Sequence, residues 1–100
     1  MRDPEIMQAV KSTLAQLAHI APGRAIEVRV PPYAAIQCGD GPSHTRGTPP
    51  NVIEMNAHTW LALADGTQTW EAAFASGEIL ASGARADLSK YLPLVEKKIE

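Results

Sequence analysis

NVIEMNAHTWLALADGTQTWEAAFASGEILASGARADLSKYLPL, residues Asn51–Leu94, is the stretch on which the fold turns. Val52–Met55 reads as a strand. Trp60, Leu61 and Leu63 follow at helical spacing, and Asp65-Gly66 marks a turn. A second helical piece carries Trp70 and Phe74. Ile79–Gly83 reads as a short strand, and Leu88, Tyr91 and Leu92 as a last helix ended by Pro93. Asn56 and Thr69 stand where side-chain oxygens cap the two tryptophan helices. Gly77 suits a left-handed residue closing the second of them. Both tryptophans and the only phenylalanine lie in this stretch. Large aromatic side chains supply much of a small core's buried area, so these residues are expected to wall whatever the domain encloses.

Upstream, Asp3 before Pro4 and Glu5 is a helix start: Asp caps free N–H groups and Pro suits the first helical position. Ile6, Val10, Leu14 and Leu17 then share one face of a helix ended by Pro22-Gly23. Ile26, Val28 and Val30 alternate with Glu27 and Arg29, the pattern of a half-buried strand. Pro31-Pro32 interrupts pairing, as a turn or as a bulge in one long edge strand, and a second strand covers Tyr33–Cys38. Residues 39–50 hold three glycines and three prolines in twelve positions and form no element interior. The expected organisation is one domain over 1–100. It has an N-terminal helix at 4–21, sheet and helices at 25–94, and a charged tail at 95–100. The fold class is α+β: a small, mostly antiparallel sheet of about four strands, covered on one face by about four helices.

Composition narrows the function. Of 100 residues, 45% are apolar and 20% charged, with a net charge of −2. The nine basic residues are scattered, which disfavours nucleic acid, since phosphate binding needs a concentrated positive face. A single cysteine, Cys38, allows no internal disulfide and fits a reducing compartment. No apolar run is long enough to span a membrane. The expectation is a cytoplasmic protein, not integral to a membrane. The histidines and Cys38 show no metal-ligand spacing, and Gly39-Asp-Gly41 fails as a dinucleotide loop because the sixth position is His44. Neither a metal nor a cofactor is expected.

The run Thr59-Trp-Leu-Ala-Leu-Ala-Asp-Gly66, Trp70-Glu-Ala-Ala73, Ser76-Gly-Glu-Ile-Leu-Ala-Ser-Gly83, Leu88 and Tyr91-Leu-Pro-Leu94 resembles the sterol carrier protein superfamily. Val28–Cys38 together with His44–Glu54 resembles a narrower group, the bacterial sterol-carrier-like proteins. The resemblance implies a sheet covered by helices, with an apolar cavity between them that takes a lipid or sterol. It brings no catalytic residues, so no enzyme is expected. In related bacterial enzymes such a domain accompanies a separate catalytic one.

The leading expectation is therefore a binding or carrier module for a small apolar or amphipathic, lipid-like molecule. Trp60, Leu63, Trp70 and Phe74 would form the apolar wall, and His44 and Arg46 the polar rim. Arg46 offers a planar fork for a carboxylate or phosphate, and His44 changes charge near neutral pH. The competing reading of that loop is one tied by its own hydrogen bonds, with Arg46 paired to Asp40 or Glu54. The alternative function is an accessory or protein-interaction domain without a free ligand, acting as a homodimer or with a partner protein. Cys38 with His44 invites a nucleophile reading, but no orienting group is assignable and a buried structural cysteine is favoured. Size constrains the carrier reading. A drug-sized pocket of at least about 300 Å³, left dry at about 24 cal/mol per Å³, costs roughly 7 kcal/mol. That matches the whole stability of a small domain, roughly 5–15 kcal/mol. A large cavity is thus filled, or its walls collapse.

Overall fold

The computed structural model describes residues 3–41 and 51–94. The first helix, α1 (Pro4–Ile20), starts where the capping chemistry places it. Asp3 Oδ1 accepts the N–H groups of Glu5 at 2.9 Å and Ile6 at 3.2 Å. Val10, Leu14 and Leu17 face the core, and Ile6 packs at its margin. Past the helix end, Gly39 donates its N–H to Ala21 O at 2.7 Å and accepts from Ala25 N at 3.2 Å. That stitch requires Gly23. Its φ is +139°, and a Cβ there would sit 1.9 Å from the Gly39 carbonyl oxygen.

Strands β1 (Ile26–Val30), β2 (Ala34–Cys38), β3 (Asn51–Glu54) and β4 (Leu80–Ser82) form one sheet in the order β2-β1-β3-β4. Pro31-Pro32 makes a turn, closed by Tyr33 N donating to Val30 O at 2.9 Å, rather than a bulge. The outer pairings β1–β2 and β3–β4 are antiparallel, and the central pairing β1–β3 is parallel. The sheet is thus mixed. Short connections favour hairpins, but Cys38 and Asn51 flank Ile26 on opposite sides, so β1 lies between β2 and β3. Alternation then sorts the faces. Ile26, Val28, Val30, Cys38 and Ile53 are buried on the inner face, while Glu27, Arg29, Glu54 and Leu80 belong to the outer one.

Helix α2 (Ala57–Asp65) is capped by Asn56, whose Oδ1 accepts the Thr59 N–H at 2.8 Å, and ends at Gly66 with φ +86°. Helix α3 (Trp70–Ala75) is capped by Thr69, whose Oγ1 accepts the Ala72 N–H at 3.1 Å. Gly77 follows it at φ +82°, as its position suggests. α1 lies over β2 and against α2. Among the described residues there are three α-helices and one 3-10 turn. The expected helix around Leu88–Leu92 is one 3-10 turn, Ser89–Tyr91. Asp87 Oδ1 takes the Ser89 N–H at 2.8 Å, and Pro93 admits no further turn. Leu88 is fully buried, yet Leu92 is only half-buried, so the spacing that suggests a helix does not reflect a continuous core stripe.

Candidate functional site

The two tryptophans have different surroundings. Trp60 is fully buried, and its indole Nε1 donates to Thr13 Oγ1 at 2.8 Å. Thr13 in turn donates to Ala9 O at 2.6 Å, so a hydrogen-bonded chain joins α2 to α1. A buried indole N–H needs such a partner. Trp60 borders none of three surface depressions lined by the described residues.

Trp70 is also buried, at 7% exposure, but it lies at the edge of the core beside a surface cleft. With Leu63, Leu92 and Pro93 it walls a cleft of about 150 Å³, rimmed by Gln68, Thr69, Glu71 and Ser89. Thr69 capping fixes the start of α3, and Leu94 N donates to Ala64 O at 2.9 Å, which holds the Leu92–Leu94 segment against α2. Phe74, one turn beyond Trp70, is 51% exposed. Its ring centroid lies 6.2 Å from that of Trp70 with a tilt of 33°. The structure therefore joins Leu63 and Trp70 in one cleft, sets Phe74 outside against Trp70, and places Trp60 behind, in the core. His44 and Arg46 lie outside the described residues.

Two other depressions differ in character. A pocket of about 270 Å³ is lined by Ile26, Gly39, Asp40, Arg85, Asp87, Ser89, Lys90 and Tyr91. Ser89 borders both this pocket and the apolar cleft. A broad groove of about 570 Å³ runs past Pro31, Pro32 and Tyr33 and along Glu27, Arg29 and Glu54. None of the three is walled by α-helices and the inner sheet face together. The layer between them is filled by Leu14, Leu17, Val28, Ile53, Trp60 and Leu63. Close packing removes the large cost that an empty apolar gap would carry.

Polar side chains in this region act mostly as ties. Asn51 is buried as the first residue of β3. Its Nδ2 donates to Ala25 O at 2.8 Å, and its Oδ1 accepts the Arg85 N–H at 2.8 Å. Glu78 accepts hydrogen bonds from Ser76 Oγ at 2.6 Å, Thr59 Oγ1 at 2.9 Å and Gln68 Nε2 at 3.2 Å. Those donors hold its carboxyl below the usual range, Ser76 contributing most. Cys38 is fully buried, and burial pushes its thiol up to about 11. A neutral buried thiol is a poor nucleophile, in keeping with a structural cysteine. Among the described residues, no group of three or more His, Cys, Asp or Glu side chains is placed to hold a metal ion.

Arg85, Lys90 and Asp40 went unmarked in the sequence because no spacing or composition cue links position 40 to positions 85 and 90. Only the meeting of the β2 end with the segment after β4 does so.

A family model described as "Bacterial SCP ortholog" matches residues 2–94. The chain belongs to this bacterial sterol-carrier-like family. None of the curated proteins matches it. The family is of the carrier type, generally without catalysis of its own. Among the described residues of this bacterial sterol-carrier-like chain, no helix is long and apolar enough to cross a membrane.

Proposed function

We propose that this chain is a non-enzymatic binding module for small apolar or amphipathic molecules, with the Leu63–Trp70 cleft as its apolar receptor. The observation that carries this reading is the cleft itself, walled by Leu63, Trp70, Leu92 and Pro93 with an exposed Phe74 beside it. Its 150 Å³ is about half the lower bound for a small-ligand site. It is also about the size of an engineered cavity known to hold benzene. A ring or a chain end fits. A longer apolar body enters only as the Leu92–Leu94 segment yields. Trp60 supports this wall from behind by fixing α2 on α1. His44 and Arg46 supply chemistry suited to a polar rim, a charge-switching imidazole and a planar cationic fork.

Native mass spectrometry of freshly purified protein tests the proposal. A co-purified amphiphile, or one-to-one uptake of added fatty acid, lysolipid or sterol, is expected. Bare protein under every one of these additions would contradict it. A second reading, an accessory domain or homodimer, is favoured by one observation. Among the described residues the outer face of the sheet is only partly buried, and Leu80 on its edge strand is 66% exposed. The same spectra report the subunit count that decides it.

A further inference from the structure

The pocket at the other side of the Ser89 turn carries chemistry that a purely apolar ligand does not use. Two cations, Arg85 and Lys90, and two carboxylates, Asp40 and Asp87, line it. Among the described residues none of these four pairs with another, the one ion pair being Arg29 with Glu27 on the outer sheet face. Three of them are held by neutral local partners instead. The Arg85 guanidinium donates through Nη1 to the Asp40 carbonyl at 3.3 Å, and its backbone N–H is fixed on buried Asn51. Asp87 Oδ1 accepts the Ser89 N–H at 2.8 Å. Lys90 Nζ stands 5.2 Å from the Tyr91 ring centroid. Neutral partners orient these groups without cancelling their charges.

We propose that this pocket binds a small zwitterion, its anionic oxygens on Arg85 and Lys90 and its ammonium group on Asp40 and Asp87. A simple anion meets two carboxylates at the same site, and a simple cation meets two basic groups. Only a ligand carrying both signs complements all four. A volume of about 270 Å³ suits a molecule of amino-acid or glycerophospho-amine size. The site stands whether or not the Leu63–Trp70 cleft takes an apolar ligand.

The test is an amide NMR titration of the whole chain with glycerophosphoethanolamine, and separately with its halves, dimethyl phosphate and ethanolamine. Saturating shifts at Gly39, Arg85 and Lys90 are expected with the zwitterion, and each half binds at least tenfold more weakly. Arg85→Gln keeps the backbone N–H on Asn51, and Asp87→Asn keeps an acceptor for Ser89. Both should hold their melting temperature and weaken binding at least tenfold. Lys90→Gln, at an exposed side chain, takes the place of either variant that fails to fold. The proposal is overturned by a half that binds as tightly as the whole, by shifts elsewhere, by no saturation, or by variants that bind as the parent does.

Discussion

Trp60 and Trp70 sit ten residues apart, each in a short capped helix followed by a glycine turn, and on sequence they look alike. In the folded chain one is sealed and the other is at a margin. Trp60 has packing on all sides and a hydrogen bond into α1. Trp70 has the core on one side, a cleft on another and Phe74 against it. The difference separates a residue that serves stability alone from one that also walls the cleft proposed for binding. Among the described residues, the layer between sheet and helices is filled by buried side chains. The cleft proposed as the apolar receptor lies outside that layer, at the end of α2 and the start of α3.

The largest expected effect lies in the sealed region. Trp60→Ala should cost about 3–5 kcal/mol in denaturant unfolding. Trp70→Ala should cost clearly less, because its cleft side lacks packing partners to lose. Equal losses would break the contrast. Thr13→Val should cost about 1–3 kcal/mol, since it strands a buried indole N–H. Thr13→Ser should recover most of this loss.

Cys38 sharpens the same contrast through pH. Its ordinary value is 9.0, and burial raises it to about 11 in the folded chain. Between these values the unfolded chain has released the proton and the folded chain retains it. Stability therefore falls as pH rises through that window. The slope should be smaller in Cys38→Ala, measured by urea unfolding from pH 8 to pH 11. An unchanged slope would mean that the thiol is not sealed. At the exposed end, Phe74→Ser should shift stability by no more than about 0.5 kcal/mol. Its effect belongs to binding, expected as a severalfold loss of fatty-acid affinity by calorimetry.

Much of the frame was legible in local chemistry. Asp3, Asn56 and Thr69 cap the helices they precede, Gly77 takes the left-handed conformation, and Ile26, Val28 and Val30 alternate into the core. Such features depend on neighbours within a few residues. What escaped depends on distant ones. The partner of Trp60 is 47 residues away at Thr13, so its burial has no local cue. The parallel β1–β3 pairing depends on how β2 and β3 flank β1. The Leu88–Leu92 spacing mimics a helix that Asp87 and Pro93 confine to one turn. Of the candidate site, the Leu63–Trp70 pair was readable as large apolar residues. The separate place of Trp60, and the Arg85–Lys90 pocket, were not.

The most direct test uses two single-tryptophan variants, Trp60→Phe and Trp70→Phe, titrated with dodecanoate below micelle formation and followed by fluorescence. With Trp70 as the only indole, a saturable change in intensity or emission maximum is expected. With Trp60 as the only indole, the emission should stay nearly constant. A silent Trp70, or a Trp60 that responds as strongly, would contradict a ligand site at the α2–α3 margin.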